Sequence, residues 1–270
     1  MGLAQAPLRW PAEAIWEAVA PALPGFTVEV LPEIDSSNTE LMRRCRAGQT
    51  EPTLLVAERQ TAGRGRLGRQ WHTPPGSALT FSLGLVMSPA DWGGLSLAVG
   101  TSLADSLAQA SGADIRLKWP NDLWLDSAKL AGILVETASV GSARYVIVGV
   151  GINVCRPAPA WVPPPSPGQA MAAQAPAWLQ EAAPLLDAPA ALAAVAAPLV
   201  RALQCFEQQG FAAFTERFAR RDLLAGREVQ LSDGRQGRAL GVSASGALRV
   251  DIGGQVEDIL SADVSVRPRG

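Results

Sequence analysis

One histidine, His72, stands in 270 residues. A metal site built from several histidines is therefore excluded, and a Ser-His-Asp or Cys-His triad would have only that residue to use. His72 sits in QWHTPPG, where a loop histidine without a chemical role is the simpler reading. Cysteine is scarce too: Cys45, Cys155 and Cys205 are odd in number, far apart and free of any CxxC pair. That pattern suits reduced thiols in the cytoplasm, not a disulfide frame or a zinc site. No apolar run reaches the roughly 18 to 20 residues of a membrane-spanning helix, so none is expected. The opening MGLAQAPLRWP has neither the basic start nor the apolar stretch of a secretory signal. Excess charge of one sign is also missing, since a formal net charge of −2 gives no global pull toward nucleic acid or anionic lipid.

Apolar side chains are plentiful, at 48% of the chain, which excludes a wholly disordered protein. The length suits one large domain and a small one. Residues 11–20 pattern as a helix begun by Pro11, and FTVEVLPEI as a strand. Ser37-Asn38-Thr39-Glu40 matches a capping box, so a helix is expected to begin near Ser36 or Ser37. PTLLVAERQ and ALTFSLGLV read as strands, LSLAVGTSLADSLAQA as a long helix, and IRLKW, KLAGILVETAS and ARYVIVGVGINV as three more strands. Strands and helices do not alternate strictly, which favours an α+β fold with a mixed sheet over a doubly wound parallel one. Residues 156–178 are proline- and alanine-rich, a surface excursion. Helices over 188–209 and 211–222 follow. From Gly226 onward four or five short strands in about 45 residues suggest a small closed barrel. The expected division is 1–222 and 226–270.

Three segments carry chemistry. In GRGRLGRQW, glycines 63, 65 and 68 fit GxGxxG spacing, but Pro74, Pro75 and Gly76 forbid the helix that a dinucleotide site needs. What remains is a loop bearing Arg64, Arg66 and Arg69, whose planar forks pair with phosphate or carboxylate oxygens. Trp71 offers a flat face to a ring, and the bland alternative is a solvated basic loop. In KWPND and KLAGILVE, Lys118 and Lys129 bracket a polar turn containing Asn121 and Asp122; such lysines either snorkel or face an anion in a cleft. EIDSSN places Ser36, Ser37 and Asn38 between a strand and a helix. They form a cap, or present hydroxyls and an amide to a small polar head group.

Taken in order, EIDSSN, QTAGRGRLGRQW, LKWPND…KLAGILVE and VGVGIN resemble the biotin–protein ligase family over about residues 33–154. The resemblance implies a mixed sheet flanked by helices, of the class II synthetase and biotin ligase type, with an SH3-like barrel behind it. It implies a cytoplasmic enzyme that activates biotin with ATP and Mg²⁺, without a tightly bound prosthetic group, and passes it to a lysine of a biotin carrier domain of a carboxylase. By the same resemblance Ser36, Ser37, Asn38, Gln60, Gly63, Arg64, Gly65, Arg66, Lys129 and Gly132 contact biotin. Ser37 stands where the family usually has threonine. Arg66, Arg69, Trp71, Asn121, Asp122 and Asn153 serve the nucleotide, and Lys129, Arg64 and Lys118 are the catalytic cations. The resemblance names no ligands for the metal.

Lipoate–protein ligase is the nearest rival, but its RRxxGGG-type segment does not occur in the sequence. An RNA-binding module is the rival from another class, resting on the Arg/Gly loop alone. About 32 residues precede the head-group motif, too few for a winged helix, so DNA binding is not expected. Membrane association is not expected either, and a homodimer is left open.

Overall fold

The computed structural model describes residues 8–72, 74, 76–157, 176–260 and the backbone of 267 and 268. Most of the proline- and alanine-rich segment (158–175) and residues 261–266 of the expected last strand lie outside the described residues. Seven strands form the large sheet: β1 (Thr27–Leu31), β2 (Thr53–Ala57), β3 (Ala78–Met87), β4 (Ile115–Lys118), β5 (Asp122–Leu125), β6 (Ala128–Val140) and β7 (Ala143–Asn153). Their order is β1-β2-β3-β7-β6-β5-β4, with β1 parallel to β2 and every other pair antiparallel. The sheet is mixed, as the pattern of elements predicts. One strand, β5, is absent from the sequence reading, which treats KWPND as a turn alone. Trp119, Pro120 and Asn121 suffice to turn the chain, and Asp122 already pairs with Lys118.

The two faces are covered unequally. Val146, Val148, Val150 and Ile152 of β7, with Leu54, Val56, Phe81, Leu83 and Ile133, point to one side. There they pack against α1 (Ala12–Val19), α3 (Leu95–Ser111) and α5 (Ala188–Gln209). Alternation sends Tyr145 and Ile147 to the other side, where with Leu55 they meet Leu41 and Cys45 of α2 (Ser37–Arg46). Burial there pushes the Tyr145 hydroxyl up to about 12. α2 begins where the sequence predicts, with the Ser36 hydroxyl accepting from the Thr39 amide. Glu40, however, turns to Arg43 and Arg44 instead of closing a capping box. Being ten residues long, α2 shields only part of its face. α5 is long and apolar enough to cross a bilayer, but its apolar stripe is spent on α1, α3 and β3.

A short helix, α4 (Leu179–Ala182), precedes α5, and the expected helix over 211–222 divides into a 3-10 turn, Phe211–Phe214, and α6 (Thr215–Arg221). Strands β8 (Glu228–Gln230), β9 (Gln236–Val242), β10 (Leu248–Ile252), β11 (Gln255–Ile259) and β12 (Arg267–Pro268) then make an antiparallel, barrel-like sheet in the order β11-β10-β9-β8-β12. Val229, Leu231, Ala239, Leu248, Val250 and Ile259 fill it and join the main core. Its β9–β10 turn is pinned to the large unit. Trp119 Nε1 donates to Gly246 O at 3.0 Å, and Leu223 N donates to Leu117 O at 2.8 Å. Between them Asp222 is buried, its carboxyl held above the usual carboxylate range by loss of solvent.

Gly246 has φ +80°, and a Cβ there would stand 2.5 Å from Gly94 Cα, the backbone cap of α3. Gly246→Ala should therefore lower stability by at least about 1–2 kcal/mol from the backbone conformation alone. Thermal unfolding with limited proteolysis around 222–227 checks this; an unchanged midpoint and digestion pattern would show that the turn does not hold the barrel.

Candidate active site

Hydrogen-bonded neighbours carry side chains to the same face of a sheet. Register therefore aligns Lys118, Asp122, Gly132, Gly151 and Thr80 in one row across β4, β5, β6, β7 and β3. The next row, Leu134, Gly149, Ser82 and Leu55, lies toward α2. Gly149 and Gly151 are sterically required. A Cβ on Gly149 would fall 2.1 Å from Asn38 Oδ1, and one on Gly151 2.5 Å from Trp71 Cε2. One on Gly132 would meet Lys129 Nζ at 3.2 Å. Two remote segments thus lie directly on the sheet, on the face that α2 leaves partly open.

A polar network beside the start of α2 is built from Ser37, Asn38, Gln60, Ser82 and Glu136. Gln60 Oε1 accepts from the Ser37 amide at 2.8 Å and from its hydroxyl at 3.2 Å. The Ser82 hydroxyl lies 2.7 Å from Ser37 Oγ and donates to Asn38 Oδ1 at 2.6 Å. Asn38 Nδ2 donates to Glu136 Oε2 at 2.9 Å. Ser36, also buried, caps α2. Ser82 and Glu136 are missing from the candidates drawn from sequence. Glu136 closes the KLAGILVE string, but Ser82 enters only through the β3–β7 register, 45 residues from Ser37.

The arginine-rich segment is a narrow hairpin. Trp71 N bonds Gly63 O at 2.9 Å and Gly65 N bonds Arg69 O at 2.7 Å. Gly63 is needed, since a Cβ there would strike Trp71 O at 2.5 Å. Leu67 and Gly68 turn the tip with positive φ, and Leu67 is 73% exposed. Behind the tip, Arg66 donates to Asn121 Oδ1 at 3.1 Å. Burial lowers its pKa, partly offset by Asp122; it stays a cation, but a poorly solvated one. Arg64 is 49% exposed and pairs with Glu136 at 2.9 Å. Arg69 points outward, in no ion pair among the described residues. Trp71 covers Gly151, with its indole N–H buried and unpartnered among the described residues.

Lys129 joins the two ends. Its ammonium lies 5.9 Å from the Trp71 ring centre and 2.7 Å from Asp122 Oδ1, an ion pair and not an aligned hydrogen bond. Lys118 extends along the same row and sits 4.6 Å over Trp124. Asn121 Nδ2 donates to Ile133 O at 2.7 Å, so its amide is engaged on both sides. Asn153 is buried, its amide donating to Lys129 O at 3.3 Å. His72 Nε2 lies 2.6 Å from Gln70 Oε1 within the same loop. Among the described residues no three His, Cys, Asp or Glu side chains converge on a metal position. The arrangement is a face bearing several cations, of which Arg64, Lys129 and Arg66 rest on a carboxylate or amide, beside a dense group of hydroxyl and amide partners. It can hold an anion in line with a neutral polar ring.

Comparison with known proteins agrees with this geometry. The model of the biotin/lipoate A/B protein ligase family matches residues 30–153, the span that contributes the site. The bifunctional ligase/repressor BirA of Escherichia coli is 36% identical over 252 residues, which cover 91% of this chain and 75% of that protein. The biotin–[acetyl-CoA-carboxylase] ligase of Mycobacterium tuberculosis is 40% identical over 134 residues, 47% of this chain and 49% of that one. The structure of the biotin protein ligase from Aquifex aeolicus in complex with biotin and ATP superposes with a TM-score of 0.74 at 29% identity, covering 90% of this chain and 99% of that one. Since these similarities run through both sheets and the site strands alike, the chain belongs to the biotin/lipoate A/B protein ligase family.

Proposed function

We propose that this chain is a biotin–protein ligase. It joins the carboxylate of biotin to the α-phosphate of ATP, giving biotinyl-5′-AMP and pyrophosphate. It then transfers the biotinyl group to a lysine of a biotin carrier protein. The observation that carries this reading is the meeting of Lys129, Trp71 and the Arg64 hairpin on one glycine-floored face.

In the first step a carboxylate oxygen attacks phosphorus and pyrophosphate leaves, so two anions must approach. A unit charge pair near 4 Å is worth roughly 4 kcal/mol at an effective dielectric of about 20, the scale of the repulsion to be offset. Lys129, Arg64 and Arg66 are the cations at hand, with Lys118 further along the row, and fixed charge of this kind stabilises the developing phosphoryl charge. Their ligand-free partners are partly exposed carboxylates and an amide. Exposed pairs are weak enough to exchange for substrate oxygens. Ser37, Asn38 and Gln60 supply the head-group contacts, with Ser36 holding their helix start. Gly63, Gly65 and Gly132 let backbone and ligand approach. Trp71 and Asn153 border the adenylate, Arg69 reaches the nucleotide from outside, and Asn121 with Asp122 positions Arg66 and Lys129. Magnesium accompanies ATP as its counter-ion; the described residues offer no carboxylate cage, and phosphate and water oxygens are its natural ligands. In the second step the acceptor amine attacks the acyl carbon, AMP leaves and a proton goes to solvent. The unit over 1–222 holds the reactants in this reading, and 226–270 braces it.

The deciding test is ATP–pyrophosphate exchange with biotin and lipoate run in parallel. Exchange is expected with biotin; exchange with lipoate alone would reassign the enzyme. Lys129→Ala is expected to slow adenylate formation by about 100-fold or more, the scale of losing one preorganised donor, and wild-type exchange would remove Lys129 from the mechanism. Arg64→Ala is expected to release biotinyl-5′-AMP roughly tenfold faster, equivalent to one weak charge-assisted hydrogen bond. An unchanged lifetime of the bound intermediate in a rapid-filtration assay would count against Arg64 as part of the cover.

A further inference from the structure

The sequence holds 23 basic residues, and only two of them, Lys118 and Lys129, are lysine. The other 21 are arginine. This bears on the chemistry because the product of the first step is a mixed anhydride that acylates amines. Nitrogen attacks the acyl carbon, an amide forms, the bond to phosphate oxygen breaks, AMP leaves, and a proton passes to solvent. A guanidinium stays protonated and delocalised and does not take part. Surface ion pairs here are accordingly arginine pairs, as at Arg59–Glu33, Arg249–Asp258 and Arg235–Glu257. An anhydride that escapes meets no ε-amine outside the site.

Both ε-amines inside the site are arranged around one residue. Asp122 stands opposite Lys118 in the β4–β5 register and lies 2.7 Å from the ammonium of Lys129. Lys118 rests over Trp124. Lys129 is the exposed one of chemical consequence: its side chain is 39% accessible, and its ammonium reaches to 3.2 Å from where a Cβ on Gly132 would stand, beside the row with Gly151 where the reacting anions would lie. An ammonium held beside a carboxylate has no lone pair to offer an acyl carbon. A free amine at the same place would compete with the acceptor lysine.

Resting on the ligase reading, we propose that Asp122 is a positioning residue that keeps Lys129 an electrostatic contact and not an acceptor. With arginine at every other basic position, it makes the chain inert to its own activated intermediate. Asp122 is thereby a guard against self-biotinylation, and Lys129 is the latent modification site.

The test supplies chemically made biotinyl-5′-AMP to the full chain without acceptor, then maps biotin on peptides by mass spectrometry. Synthesis of the intermediate is bypassed, so failure of the ligase reading, seen as no binding of the anhydride by wild type, is separate from failure of the guard. Wild type is expected to carry no biotin on Lys118 or Lys129. Asp122→Asn is expected to gain biotin on Lys129, and Asp122→Glu to restore protection, which a merely structural role would not give. Arg46→Lys and Arg201→Lys, at exposed positions in no ion pair among the described residues, are expected to be labelled at the new lysines. Lys129 labelled equally in wild type and Asp122→Asn, or grafted lysines left unlabelled, would overturn the proposal. Should Asp122→Asn not fold, acetylation of the doubly grafted wild-type chain by a small active ester decides. Lys129 is expected to react about fivefold more slowly than the grafted lysines, the scale of a half-exposed ion pair; equal rates would overturn the guard.

Discussion

Everything at the site depends on a contact that leaves no room for a Cβ. Asn38 lies on Gly149 and the Trp71 indole on Gly151, at separations that any side chain would close. Sheets ordinarily hold neighbours away with their own side chains, about half a layer spacing. Two neighbouring rows with glycine at their centre remove that spacer, and a helix start and a hairpin from elsewhere in the chain settle onto backbone. Packing on the opposite face makes this stable: Val148, Val150 and Ile152, alternating with the glycines, are buried against α3 and α5. The weakening expected of glycine within a strand is thus countered by a strand bonded on both sides throughout its length.

On this floor three of the cations rest on partners. Arg64 rests on Glu136, Lys129 on Asp122, and Arg66 on the Asn121 carbonyl oxygen. Partial exposure keeps such pairs weak, and Arg66 is the half-buried, poorly solvated member. Fixed cations with exchangeable partners avoid the reorganisation that unpaired, fully hydrated ones would need. The same carboxylates then remain beside the cations to fix their direction. Asn38 and Arg64 share Glu136, so the start of α2 and the hairpin are tied through one residue.

The parts of this arrangement legible in the sequence are those that local chemistry dictates. Pro74 and Pro75 rule out a dinucleotide helix after the glycines, the serine pair before Asn38 reads as a helix start, and alternation in ARYVIVGVGINV gives a strand. Cross-strand partners are not local. Ser82 reaches Ser37 only because β3 lies between β2 and β7, and nothing in TFSLG distinguishes that serine from any other strand hydroxyl. β5 escaped because its four residues follow a turn signal so closely that the turn absorbs them. The hairpin over 63–71 reads as mobile because its composition is glycine and arginine, whereas its rungs at Gly63 and Gly65 are backbone bonds that composition does not reveal.

One turn, Trp119-Pro120-Asn121, does separate work on each side. Trp119 is buried and bonds the barrel at Gly246, while Asn121, two residues on, bonds the β6 backbone at Ile133 and holds Arg66. Between barrel turn, α3 start and β6 lies a cavity of about 430 Å³, lined by Trp119, Ser96, Arg144 and Gly246 and also by Arg66. The hairpin tip and the barrel therefore share a boundary without touching the same ligand face. Because Gly246 packs on Gly94 backbone atom to atom, the barrel cannot shift there by rotating a side chain; it must move Trp119, and with it the turn that holds Asn121. The small sheet thus acts as a brace for the residue that positions Arg66, which explains why a unit remote from the glycine floor bears on how that cation is held.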